Sequence, residues 1–245
     1  MLRHTGQKRS FKHNLRLAVL LCLNAGFINA AGFLAFNVLT TNVTGHAALL
    51  AVDIASQNLR SARMIVLWLV LFLLGAFVSS LFIRTIGKNR IYGYATPIVF
   101  IMLILLTVAM FGQNYHHTLP ETEYFAGSLL FGMGMQNAMV SMVSGSVVRT
   151  THLTGMFTDL GIDLAAAVLK YKEISPIMKR KITLKLAIII SFLIGGIFGG
   201  ILFPSLSFKA FYIPSFILLI AVFYDSFRLK ISRVANKYFG GRRRV

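Results

Sequence analysis

Six stretches of this chain, at about 15–38, 62–83, 91–111, 123–147, 183–203 and 209–227, run for roughly twenty residues with almost no charge. That is the length a helix needs to cross a hydrocarbon core of about 30 Å. The pattern predicts an all-α membrane protein with six transmembrane helices, its partner the lipid bilayer. Composition agrees: 56% of the residues are hydrophobic and 13% charged, against about 45–50% and about 25% in a soluble domain. The net charge of +18 does not point to nucleic acid, because the basic residues sit in the N-terminal arm, the loops and the tail, as in cytoplasmic segments of membrane proteins. A single cysteine, Cys22, excludes an intrachain disulfide and every multi-cysteine metal motif.

Charge placement orients the spans. The arm (1–14), the 84–90 loop with Arg84, Lys88 and Arg90, the 170–185 segment and the tail (228–245) are basic, whereas the 112–122 loop and the residue after it carry only Glu121 and Glu123. Six spans with both termini in the cytoplasm of a bacterial inner membrane satisfy the positive-inside rule. Arg60 and Arg63 then fall on the outer side. The arm followed by Leu17–Leu21 imitates a secretory signal, but the apolar run continues past a signal's length, which predicts a retained first span.

Two polar islands recur in this apolar chain. Thr40-Thr41-Asn42-Val43-Thr44-Gly45-His46 is followed by Asp53, and Thr150-Thr151-His152-Leu153-Thr154-Gly155-Met156 by Asp163, at a constant offset of 110. Each leads into an apolar segment, about 44–59 and 154–169, of sixteen residues. Sixteen helical residues reach only about 24 Å, so these read as short helices that re-enter the bundle. Other landmarks repeat in the same order: Asn29-Ala30 with Asn137-Ala138, the small residues at Gly75 with those at Gly195, and Pro97 with Pro214. The chain thus divides into a repeat at 15–111, a loop at 112–122 and a repeat at 123–227. Three crossings per repeat oblige the second to enter the membrane from the opposite face, and inverted repeats with a midplane site are a recurrent transporter construction.

The motifs G-x-x-N-A then T-T-x-x-T-G, and their echo with D-L-x-x-D-L-A, resemble the YoaK-like family of bacterial inner-membrane proteins over nearly the whole chain. The resemblance implies a multi-pass, six-span protein and no particular activity.

The polar side chains carry two readings each. Asn29, Asn137 and Gln136, with Asn24, are amides within apolar runs; they either bind substrate or bond across helices as glue for about 1 kcal/mol. Thr41, Thr44, Gly45 and Thr151, Thr154, Gly155 surround helix starts whose free N–H groups and positive dipole end attract anions. In the alternative, Thr44 and Thr154 cap their helices and the glycines permit a tight bend. His46, Asp53, Gln57 and Arg60 are spaced to share one helix face, as are His152, Asp159, Asp163 and Lys170. Asp53, Asp159, Asp163 and His152 are therefore candidates for coupling to H⁺ or Na⁺, or else Asp163 pairs with Arg149 or Lys170 for structure alone. Pro97 and Pro214 are expected to kink their spans, and the small residues at Gly75 and Gly195 to pack helices closely.

No hydrolase, zinc-protease or phosphate-loop motif occurs, so neither catalysis, a metal nor a cofactor is expected. The reading that follows is an ion-coupled secondary transporter or exporter of a small polar solute, as a single chain or a homo-oligomer. Its rival is a membrane scaffold or accessory subunit.

Overall fold

The computed structural model describes residues 10–87, 91–169 and 174–223. The basic tail at 228–245, most of the arm, Lys88, Arg90, Lys170 and Lys172 lie outside the described residues. Within them every regular element is helical: α1 (Phe11–Phe36), α2 (Val43–Ala55), α3 (Leu59–Ile86), α4 (Ile91–Phe111), α5 (Leu119–Ser144), α6 (Leu153–Leu169), α7 (Pro176–Leu206) and α8 (212–223). Short 3₁₀ turns follow α4 and α7.

Among the described residues four segments are long and apolar enough to cross a membrane: Phe11–Phe36, Leu59–Ile86, Gly93–Asn114 and Pro176–Phe223. The last contains two helices, because Ser207 takes φ 51° and turns the chain at the end of α7. The 26-residue α5 is as long but less apolar, being rich in glycine and methionine. It can be so because it lies inside the bundle, with residues such as Met135 and Met139 fully buried, and needs little lipid-facing surface. Pro97 lies within α4, whereas Pro214 falls in the first turn of α8, where a proline costs no hydrogen bond; it starts that helix and does not kink it.

Corresponding elements end for the same local reason. Asn37 closes α1 in the left-handed conformation (φ 57°) with its N–H on the Phe33 carbonyl. Gly145 closes α5 likewise (φ 65°), its N–H on the Ser141 carbonyl. Both members of this pair are 108 residues apart, the offset that relates Asn29 to Asn137.

Packing interleaves the two halves. The main partner of α1 is α7, and that of α5 is α3. At the first crossing a Cβ on Gly26 would fall on the carbonyl oxygen of Phe192, and one on Gly195 on that of Leu23. At the second, Gly134 meets the carbonyl of Phe72, and Gly75 that of Phe131. Backbones approach this closely only where no side chain intervenes. The helix α2 then lies on α3, α6 on α7, and α4 against α5 and α3. Two groups result, α1/α6/α7 and α2/α3/α4/α5. They meet along α1 and α5, where the buried Asn24 amide donates to Gln136 Oε1 and Gln136 Nε2 to the Leu21 carbonyl, each at 2.9 Å.

The end of the bundle carrying the Gly112–Thr118 loop is closed by rings. Phe36, Tyr115, Phe125 and Phe208 pack with centroids 5.2–6.1 Å apart, and the Phe208 ring occupies the space a side chain at Gly112 would need.

Candidate functional site: a cavity between two threonine turns

After α1 the chain folds back into the bundle. The Thr41 N–H and hydroxyl both donate to Asn29 Oδ1, at 3.1 and 2.9 Å, and the Thr40 hydroxyl donates to the Ile28 carbonyl at 3.4 Å. Asn29 stands seven residues before the end of α1, so the turn lies about 10 Å down the helix axis. The second copy repeats the device. The Thr150 hydroxyl donates to Asn137 Oδ1 at 2.9 Å, and Asn137 Nδ2 donates to the Thr151 hydroxyl oxygen. Neither asparagine reaches for the other: each clamps the threonines of its own turn, at the point where the chain passes from one helix group to the other. A hydrogen bond of this kind contributes about 1 kcal/mol net.

The caps differ from expectation. Asn42, and not Thr44, accepts the Gly45 N–H at 2.9 Å and caps α2. In the second copy His152 holds the equivalent place, with its ring over Gly155. The glycines are not bends, since neither has a positive φ. They leave room for the cap: a Cβ on Gly45 would lie 2.7 Å from the Asn42 amide nitrogen, and one on Gly155 would enter the His152 ring.

Both turns open onto one cavity of about 690 Å³. Its walls carry matched residues from the two halves: Asn29 and Asn137, Thr41 and Thr151, Thr44 and Thr154, Phe72 and Phe192. They also carry two unlike pairs, Leu39 opposite Arg149 and Asn42 opposite His152. Val43 and Leu153, the first residues of α2 and α6, are on the wall too, so two helix N-termini with their positive ends face the same space. Ser141 and Ala138 of α5 complete the wall.

Other predicted residues lie elsewhere. Gly45 and Gly155 sit behind the wall, and Gln136 is spent on the α1–α5 contact with Asn24 and Leu21. Asp53 and Asp163 each lie ten residues into their helices, about 15 Å from the cavity end. Asp163 forms an ion pair with Lys185 of α7 at 2.8 Å and, among the described residues, none with Arg149; Lys170 lies outside them. The same ammonium donates to the Asp159 carbonyl at 2.9 Å, while the Asp159 side chain is exposed. The proposed polar face of the first copy breaks up because α2 ends at Ala55, Gln57 turns with φ 59°, and Arg60 belongs to α3. His46 is buried as a structural group, its Nε2 2.9 Å from the Leu39 carbonyl and its ring centroid 5.5 Å from that of Trp68.

Sequence reasoning gave Arg149 only as an ion-pair partner and overlooked Phe72, Phe192 and Ser141. The signal for the phenylalanines was available: they stand 120 residues apart, as Gly75 and Gly195 do.

The family described as "Protein of unknown function (DUF1275)" matches residues 17–224, a span that includes both turns and the whole cavity wall. The chain belongs to that family. It is also similar to the UPF0700 transmembrane protein YoaK of Bacillus subtilis (strain 168), with 22% identity over 217 residues that cover 88% of this chain and 95% of that protein. The resemblance read from the motifs holds, and this is a membrane protein. No solved structure matches the chain.

Proposed function

We propose that this chain is a secondary transporter or exporter of a small polar solute, a non-catalytic six-span protein of the bacterial plasma membrane with both termini cytoplasmic. The observation that carries the reading is the shared cavity: residues 110 apart in sequence converge on one space from two short helices that begin inside the bundle. Broken helices pointing their ends at a common interior site are what alternating access requires.

Support for an inverted repeat comes from the crossings. Gly26 meets α7 at Phe192 as Gly134 meets α3 at Phe72, and Gly195 meets Leu23 as Gly75 meets Phe131. A pseudo-two-fold axis relating the halves would impose that exchange. The outer placement of Arg60 and Arg63 is supported by Glu123, which shares a small groove with them. Because each half lends its first helix to the other, the moving bodies are not the sequence halves. They are α1/α6/α7 against α2/α3/α4/α5, turning about the Asn24–Gln136 contact, with the asparagine-clamped turns as the links between them.

The ion pair of Asp163 and Lys185 ties α6 to α7 within the first of these bodies and is the candidate for coupling to H⁺ or Na⁺; Asp53, without such a partner among the described residues, is secondary. Flux of labelled small polar metabolites into proteoliposomes, driven by a pH or Na⁺ gradient, tests the proposal. A Ser141→Trp variant fills the cavity and should abolish flux while the protein remains monodisperse. Unaltered gradient-driven flux in Asp163→Asn would remove the coupling role, and no flux in wild type for any solute tested would favour the scaffold.

A further inference from the structure

The cavity wall has an uneven charge. Among the described residues, Arg149 and His152 are its ionisable side chains, and no aspartate or glutamate lines it. Arg149 makes no hydrogen bond or ion pair among the described residues, although Asp159 and Asp163 lie on the helix that follows it. The backbone N–H groups of Val43, Thr44, Leu153 and Thr154 likewise have no partner among those residues. The Asn29 amide nitrogen is also unspent, since both bonds from Thr41 go to its oxygen. Arg149 and His152 are both exposed, and an arginine in a membrane protein that no protein carboxylate pairs faces water or a guest of opposite charge.

From these facts we infer that the solute is an oxyanion, a small molecule bearing a carboxylate or phosphate group, held by the Arg149 guanidinium in its forked geometry with the threonine hydroxyls, the Asn29 amide and the two sets of helix-start N–H groups around it. The inference deepens the transporter reading and rests on it for the presence of a solute in the cavity. A guanidinium pairs two N–H groups with two oxygens of such a group, which gives both affinity and orientation. The position is specific to the second half: the first half offers Leu39 there, so the anionic end of the guest lies toward α6 and its other end toward Leu39 and the Phe72 ring.

The test reads the local potential without knowing the guest. A Ser141→Cys variant places a thiol on the wall, and the native Cys22, fully buried, leaves little background. Rates of modification by a sulfonate-bearing and a trimethylammonium-bearing methanethiosulfonate of similar size are compared, each relative to a free thiol at low salt. The expected ratio favours the anionic reagent by about tenfold. Adding Arg149→Gln should lower that ratio at least about fivefold, and Arg149→Lys should restore most of it. A ratio favouring the cationic reagent, a ratio indifferent to Arg149→Gln, or no modification by either reagent would overturn the inference. Flux assays separate it from the transport reading. Transport of neutral or cationic solutes with none of succinate or inorganic phosphate would overturn the anion while leaving the transporter. The expected charge ratio with no flux of any solute would uphold the anion site and remove the transporter.

Discussion

The two threonine turns reach the same cavity, each clamped by the asparagine of its own preceding helix, yet the helices behind them are held in different ways. Behind the first turn, α2 is seated by aromatic and apolar contact: His46 is buried against Trp68, and Ile65 on α3 is 3% exposed. Behind the second, the position 120 residues on from Ile65 is Lys185, and α6 is held by its ion pair with Asp163. An apolar seat loses contacts gradually as helices slide. A charge pair has two distinct states, made and broken, and responds to protonation. Under the proposed transport function, what the halves share serves as framework and what they do not share sets coupling and selectivity.

The shared framework predicts equal and large effects. Gly26→Leu and Gly134→Leu each push a side chain into a facing backbone carbonyl, which costs about 3 kcal/mol or more and leaves little room for relaxation. Both should abolish recovery of monodisperse protein after detergent extraction. If one is tolerated and the other not, the two crossings are not equivalent.

The unshared ion pair predicts a smaller, one-sided effect. Lys185→Met strands a half-buried carboxylate and should destabilise by about 2 kcal/mol, of which Asp163→Asn in the same chain recovers most. Urea or thermal melts of the four proteins of this cycle in detergent measure it. An additive cycle would mean that the 2.8 Å contact contributes no coupling.

At the caps the expected difference is smaller still. Asn42→Ala removes an observed cap bond and should cost about 1 kcal/mol, lowering the melting temperature by about 2–4 °C for a chain of this size. His152→Ala, where no side-chain cap bond forms to Gly155, should cost less. Equal shifts would erase the distinction between the two turns.

The smallest effect lies at the closed end of the bundle. Glu121 is held below the usual carboxylate range first by the His116 N–H. A depressed folded-state value means that this contact stabilises the loop above the usual carboxylate range, about pH 4, and that the stabilisation fades as pH falls through the lowered value. Tyr115 packs beside His117 in that loop, so its ring NMR signal should shift through that acidic window, and should be flat there in Glu121→Gln.

Much of this was legible beforehand. The apolar stretches located the long helices to within about two turns, and the exact 110-residue echo located both turns. Two matters were not. Helix periodicity places His46 and Asp53, or His152 and Asp163, on one face, but it ignores distance along the axis; at 1.5 Å per residue the aspartates end up far from the turns that precede them. Small-residue patterns announce close packing but not the partner, so the exchange of α1 and α5 between halves needed coordinates. Arg149 was read only as an ion-pair partner for a related reason: nothing in a loop sequence shows that the loop folds back to line a cavity.

The central claim is that both turns face one space reached alternately from the two sides of the membrane. Thr44→Cys and Thr154→Cys, each made with Cys22→Ala and reconstituted in oriented proteoliposomes, test it with a membrane-impermeant thiol reagent added to one side at a time. The account predicts that each cysteine is modified from either side. Modification of Thr44→Cys from one side only and of Thr154→Cys from the other only would show two separate vestibules and contradict it.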